Sequence, residues 1–143
     1  MEYGQIMALI INIAIAMNVP PYFALSIALT ENPTLNPMAV NVNENGTKDR
    51  GIFQTNDSWD KSDWTDIETN IKVGIGHIKY LLMIPELNTF WGVAASYNCG
   101  HTRFLSAEGP PLASLNYAEK VMTLWEQLDK CIFTAVIPSQ YKH

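Results

Sequence analysis

Between residues 3 and 43 the chain carries a single charged side chain, Glu31, and no lysine or arginine occurs before Lys48. Such a stretch is dominated by its apolar residues, which must leave water against other parts of the chain. Within it, Ile6, Leu9, Ile10, Ile13, Ala14 and Met17 recur at helical spacing, which predicts a helix over 3–17 with one buried face. The run from Ile6 to Met17 is shorter than the roughly 20 residues that span a bilayer and is interrupted by Asn12, so no membrane span is expected. Met1 to Gln5 carries Glu2 and no lysine, unlike the positive start of a signal peptide.

The remaining chain reads as mostly helical. Pro20 and Pro21 end the first helix and open a second, from Pro21 to about Glu31, which Pro33 stops. Val40 and Val42 alternate with polar residues, and Asn45-Gly46 is a hairpin-turn pair, so residues 38–56 read as a small polar hairpin. Thr65 and Glu68 form a capping-box pattern for a third helix, whose stripe is Ile67, Ile71, Gly74, Ile75, Ile78 and Leu82. A helix over about 89–98 stops at Gly100, and a last long helix carries Tyr117, Val121, Leu124 and Leu128 on one side. The tail beyond Cys131 is apolar and ambiguous.

Composition narrows the function. With 143 residues, one domain spanning 1–143 is expected. A net charge of −5 gives no electrostatic grip on phosphate backbones, so nucleic acid is not an expected partner. A hydrophobic content of 48% excludes disorder. The two cysteines, Cys99 and Cys131, do not form a metal motif; they read either as one disulfide or as two separate buried thiols.

Glu31 is the most informative residue. It sits at the end of an apolar helix, one turn after Ile27 and Ala28. The negative end of the helix dipole and apolar surroundings both disfavour its ionised form, as a general acid near neutral pH requires. The alternative is a glutamate that swings into solvent. Asp49 lies at the end of the hairpin and would complete a pair of carboxylates of the kind that breaks glycosidic bonds; otherwise it caps its turn or pairs with Lys48 or Arg50. By strand alternation Gln54 and Asn56 share a face, and their amides suit the acetamido and hydroxyl groups of amino sugars, or else satisfy local backbone. Tyr97 and Asn98 end a helix of small residues, from which the pair could point into a cleft. Asn41, Asn43, Asn45 and Gly46 imitate a calcium loop, but its first position lacks an acid and its twelfth is Ile52, so the hairpin is preferred and no metal is expected. His77 and His101 have no visible ligand partners and read as structural.

Together these residues resemble the lysozyme-like lytic transglycosylases of bacteria and their phages, a family related to goose-type lysozyme. The family's Glu-Ser and Asn-Pro motif is similar to Glu31-Asn32-Pro33 through Asn36-Pro37. Its Gly-Leu-Met-Gln and Ile-Asn appear as Gly51-Ile52-Phe53-Gln54-Thr55-Asn56. Asn70-Ile71, Gly74 and Tyr80-Leu81 match a third motif, and Ser96-Tyr97-Asn98-Cys99-Gly100 matches Ala-Tyr-Asn-Ala-Gly. Tyr117 with Val121 matches the tyrosine of the final helix. The hairpin from Asn45 to Gln54 is also similar to the active-site hairpin of animal lysozymes, whose second carboxylate matches Asp49.

The resemblance implies an α+β, mainly α, lysozyme-like fold, with a helical lobe and a small β-hairpin lobe around a saccharide groove. It implies a lytic transglycosylase, a monomer without cofactor, acting on peptidoglycan glycan strands in the periplasm, cell wall or extracellular space. Glu31 would be the general acid and base, oriented by Tyr117, with Gln54, Asn56, Tyr97 and Asn98 holding sugars. The family's serine after the glutamate is Asn32 here, and that serine contacts substrate. The alternatives are a lysozyme-type muramidase using Glu31 with Asp49, and a non-catalytic peptidoglycan-binding module.

Overall fold

The computed structural model describes residues 1–136, with side chains through Cys131; the end of the apolar tail lies outside the described residues. The chain runs α1 (Tyr3–Ala16), α2 (Pro21–Glu31), β1 (Val40–Val42), β2 (Lys48–Arg50), β3 (Thr55–Asn56), α3 (Ile67–Leu82), a 3₁₀ turn (Pro85–Leu87), α4 (Phe90–Cys99), α5 (His101–Phe104) and α6 (Leu112–Val136).

The uncharged N-terminal stretch forms the two helices expected of it. In α1, Ile6, Ile10, Ile13 and Ala14 are buried, with Leu9 and Met17 half-buried against them. In α2, six consecutive residues from Phe23 to Ala28 are buried. A helix buried on every side is apolar on every side, and α2 is central, packed between α1 and α6. The edge of Phe23 meets Phe90 of α4 and its ring leans on Trp125 of α6, with centroids 5.1 and 5.0 Å apart. Glu31 is the last residue of this central helix, so the core itself places it.

Helix α3 presents Ile71, Gly74, Ile75 and Ile78 inward as its spacing predicts. Its cap differs from expectation. Asp66, not Thr65, is the N-cap: its carboxylate accepts from the Thr69 amide at 3.0 Å and the Thr69 hydroxyl at 2.6 Å. Thr65 is engaged one step earlier, where its hydroxyl donates to Asp63.

The polar segment forms a three-stranded antiparallel sheet in the order β1-β2-β3, one short strand more than a hairpin. Asn41 pairs with Asp49, and Asp49 in turn with Asn56. The β1–β2 turn closes on Asn45, whose side chain accepts from the Thr47 amide and hydroxyl, and Gly46 takes a φ of +85° that a side chain would resist.

Candidate active site

The sheet and the helical lobe enclose a groove of about 520 Å³. Glu31 and Asp49 are the carboxylates lining it, with Gln54, Asn56, Tyr97 and Asn98 beside them. The candidates taken from the sequence therefore converge on one cleft, apart from Tyr117, which reaches Glu31 from α6. The Tyr117 hydroxyl donates to Glu31 Oε2 at 3.0 Å. Burial raises Glu31 from the usual 4.5 to about 8; the hydrogen bond from Tyr117 pulls the other way, and the nearby Asp49 charge pushes further up. Glu31 is thus a protonated acid at neutral pH. Burial, and next the proximity of Glu31, push the phenols of Tyr97 and Tyr117 well above their usual range, so both remain donors.

Asp49 is held by the sheet register. Its Oδ1 accepts from the Asn56 amide at 2.8 Å, and the same amide donates to the Thr47 hydroxyl at 3.0 Å. It forms no ion pair with Lys48 or Arg50 among the described residues.

Gln54 reaches the groove by a route the strand pattern does not predict. It precedes β3 and lies in the left-handed region, at φ +52°. A non-glycine residue there is uncommon and persists only when its surroundings enforce it. Three contacts do so: Gln54 Oε1 accepts from Asn41 at 2.6 Å, and Nε2 donates to the Gly51 and Ala39 carbonyls at 2.8 and 3.2 Å. Strand alternation is therefore not what brings Gln54 and Asn56 together.

The turn before Gln54 is clamped from α3. Buried Asn70 accepts from the Phe53 amide at 3.0 Å and donates to the Arg50 carbonyl and the Thr55 hydroxyl. Gly74 lets the Phe53 ring rest on the α3 backbone, where a Cβ would stand 2.3 Å from Phe53 Cγ. On the other side, Tyr97 donates to the Phe53 carbonyl at 2.7 Å. Asn98 accepts from Ser114 at 2.7 Å, which ties the end of α4 to α6.

Asn32 does not line the groove. It is buried, with Nδ2 on the Asn36 and Gly51 carbonyls at 2.8 and 3.2 Å and Oδ1 accepting from the Asn36 amide. Here the position binds the α2 end to the sheet rather than facing a ligand. The calcium imitation also dissolves: Ile52 is wholly buried, and Asn41 is committed to Gln54.

The groove has further lining residues. Trp59, Ser96 and His77 line it. His77, read as structural, stacks on Trp59 at 4.8 Å, and burial followed by the effect of His101 holds its imidazole below its usual value. His101 opens the short helix α5. Among the described residues, the Ser96 hydroxyl is buried without a hydrogen-bond partner. A hydroxyl within an otherwise small, apolar helix is the signal that marks it. Cys99 is half-buried at the groove and Cys131 is exposed on α6; both thiols are free, so neither the disulfide nor the pair of buried thiols forms.

A mainly helical body, a small antiparallel sheet and an acid between them define a lysozyme-like fold. The transglycosylase SLT domain model matches residues 8–112, and the chain belongs to that family, whose members are lytic transglycosylases acting on peptidoglycan. No curated protein and no solved structure matches the chain. Among the described residues, no helix is long and apolar enough to cross a membrane.

Proposed function

We propose that this protein cleaves the bond between N-acetylmuramic acid and N-acetylglucosamine in peptidoglycan and leaves a 1,6-anhydro sugar. The observation that carries the proposal is Glu31: a groove carboxyl raised to about 8 and held by the Tyr117 hydroxyl. With Tyr117 donating to Oε2, the acid proton is left to Oε1. Glu31 gives that proton to the bridging oxygen as the bond to C1 breaks. The resulting carboxylate then takes the proton of the muramic acid's own 6-hydroxyl as O6 bonds to C1. The acid is regenerated and no water is consumed. The substrate's acetamido group stabilises the cationic intermediate. Gln54, Asn56, Tyr97 and Asn98 position the sugars. The action lies where peptidoglycan lies, in the periplasm, cell wall or extracellular space.

Asp49 supports a second reading, since it faces the same groove. As nucleophile or base it would make the protein a muramidase. Digestion of purified peptidoglycan followed by mass spectrometry of the muropeptides separates the two. Products lighter by one water support the lyase; reducing ends overturn it in favour of the hydrolase. Failure to release any muropeptide leaves a peptidoglycan-binding role.

A further inference from the structure

His77 lines the groove. A row of rings leads out of it. Trp59 stacks on His77 with centroids 4.8 Å apart and planes at 30°. His77 lies 6.2 Å from Tyr80 with planes at 16°, and Tyr80 meets the edge of His101 at 5.7 Å. Tyr97, inside the groove, leans on His77 at 5.4 Å and joins the row to the catalytic region. Trp59 is 46% exposed and Tyr80 52% exposed. Large rings kept half in water, each held by a neighbour and contiguous with a cleft, form a prepared surface rather than scattered apolar exposure.

We propose that Trp59, His77, Tyr80 and His101 form an outer saccharide platform, which carries pyranose rings of the same glycan beyond the sugars at Glu31. The inference rests on the glycan-cleaving reading above. A pyranose ring has an apolar C–H face and a hydroxyl rim, and the platform offers matching surfaces: ring faces for the former, and the Tyr80 hydroxyl and imidazole nitrogens for the latter. Stacked rings lose little conformational freedom on binding because their neighbours already fix them. The platform makes the enzyme prefer long strands to short fragments.

The test compares long and tetrasaccharide glycan strands, peptide-free and with their stem peptides, on the parent protein, Tyr80→Ala, Tyr80→Phe and Trp59→Ala, each checked for an unchanged melting curve. Tyr80→Ala is expected to raise KM for long strands about three- to tenfold, as loss of one ring contact implies. Its kcat and its KM for the tetrasaccharide stay at the parent values. Tyr80→Phe restores most of the loss, and Trp59→Ala, at the other end of the row, also weakens long-strand use. Parent-like KM on long strands in both alanine variants overturns the platform and leaves the proposed activity intact. A loss confined to strands that keep their stem peptides also overturns it, because the rings then read peptide. A parent protein that cleaves neither substrate removes the underlying reading, and the platform with it.

Discussion

The Tyr117 hydroxyl donates to Glu31 Oε2 at 3.0 Å across 86 residues of chain, from the last helix to the end of the central one. It does two things to the acid. In the proposed mechanism it would fix which oxygen is free for the substrate and stabilise the carboxylate that forms once the proton has left. Tyr117→Phe keeps the ring and removes only the donor. The expected result is a loss in kcat of about 10- to 100-fold, the worth of one hydrogen bond to a charged group. The alkaline limb of the pH profile should move up, since the bond holds the Glu31 value down. Parent-like kcat and pH profile would remove Tyr117 from the mechanism.

Glu31→Gln should abolish muropeptide release, by roughly 10²- to 10⁴-fold for a lost general acid. It should also change stability. Because folding raises Glu31 from 4.5 to about 8, the folded state holds a proton that the unfolded chain gives up between those values. Stability contributed by that proton is present below about 4.5 and is lost as pH rises through about 8, at no more than about 1.4 kcal/mol per pH unit. The parent should melt lower at pH 8 than at pH 5 by a margin that Glu31→Gln lacks. Equal pH dependence in the two proteins counts against a buried, protonated Glu31.

Asp49→Asn separates the two chemistries kinetically. A lyase needs no second carboxylate, so activity should fall less than about tenfold, whereas a hydrolase should lose roughly 10²- to 10⁴-fold. Because the Asp49 charge pushes Glu31 upward, the alkaline limb should move down in the variant. An unmoved limb would show that the two groups are not electrically coupled.

Asn32→Ser installs the residue usual in the family. Serine is too short to span from the end of α2 to both the Asn36 and Gly51 carbonyls, so the buried clamp is lost. The expected outcome is a destabilisation of about 1–3 kcal/mol in denaturant melts with no gain in substrate affinity. Tighter binding with unchanged stability would restore the position to the groove.

Gly74→Ala puts a Cβ 2.3 Å from Phe53 Cγ. Overpacking of this kind costs about 1–3 kcal/mol. Phe53 also carries the carbonyl that receives Tyr97 and precedes Gln54, so activity should fall along with the melting temperature. A variant of unchanged stability would mean that the α3 contact gives way without cost.

The helices and the candidate acid were legible because they follow from local rules. Spacing at three and four residues marked α1 and α3, prolines bounded α2, and isolation in an uncharged stretch singled out Glu31. The β3 strand, the Asp66 cap and the turn at Gln54 were not. Each depends on a contact that local pattern does not encode: pairing with β2, competition from Asp63 for Thr65, and the joint hold of Asn41, Ala39 and Gly51 on one amide. His77 was passed over because a histidine on a helix looks the same in sequence whether it faces core or cleft.

By itself, then, the sequence determined that residues 3–31 hold two helices with buried faces and that the lone acid ends the second, because apolar side chains at helical spacing leave water together and prolines bound the helices. Only the tertiary structure decided what that acid is. Its rise to about 8 comes from the burial that closes over it and from a carboxylate on β2, against the pull of a phenol on α6. Those are energies of position, and distant segments acquire positions relative to one another only when the core between them has packed.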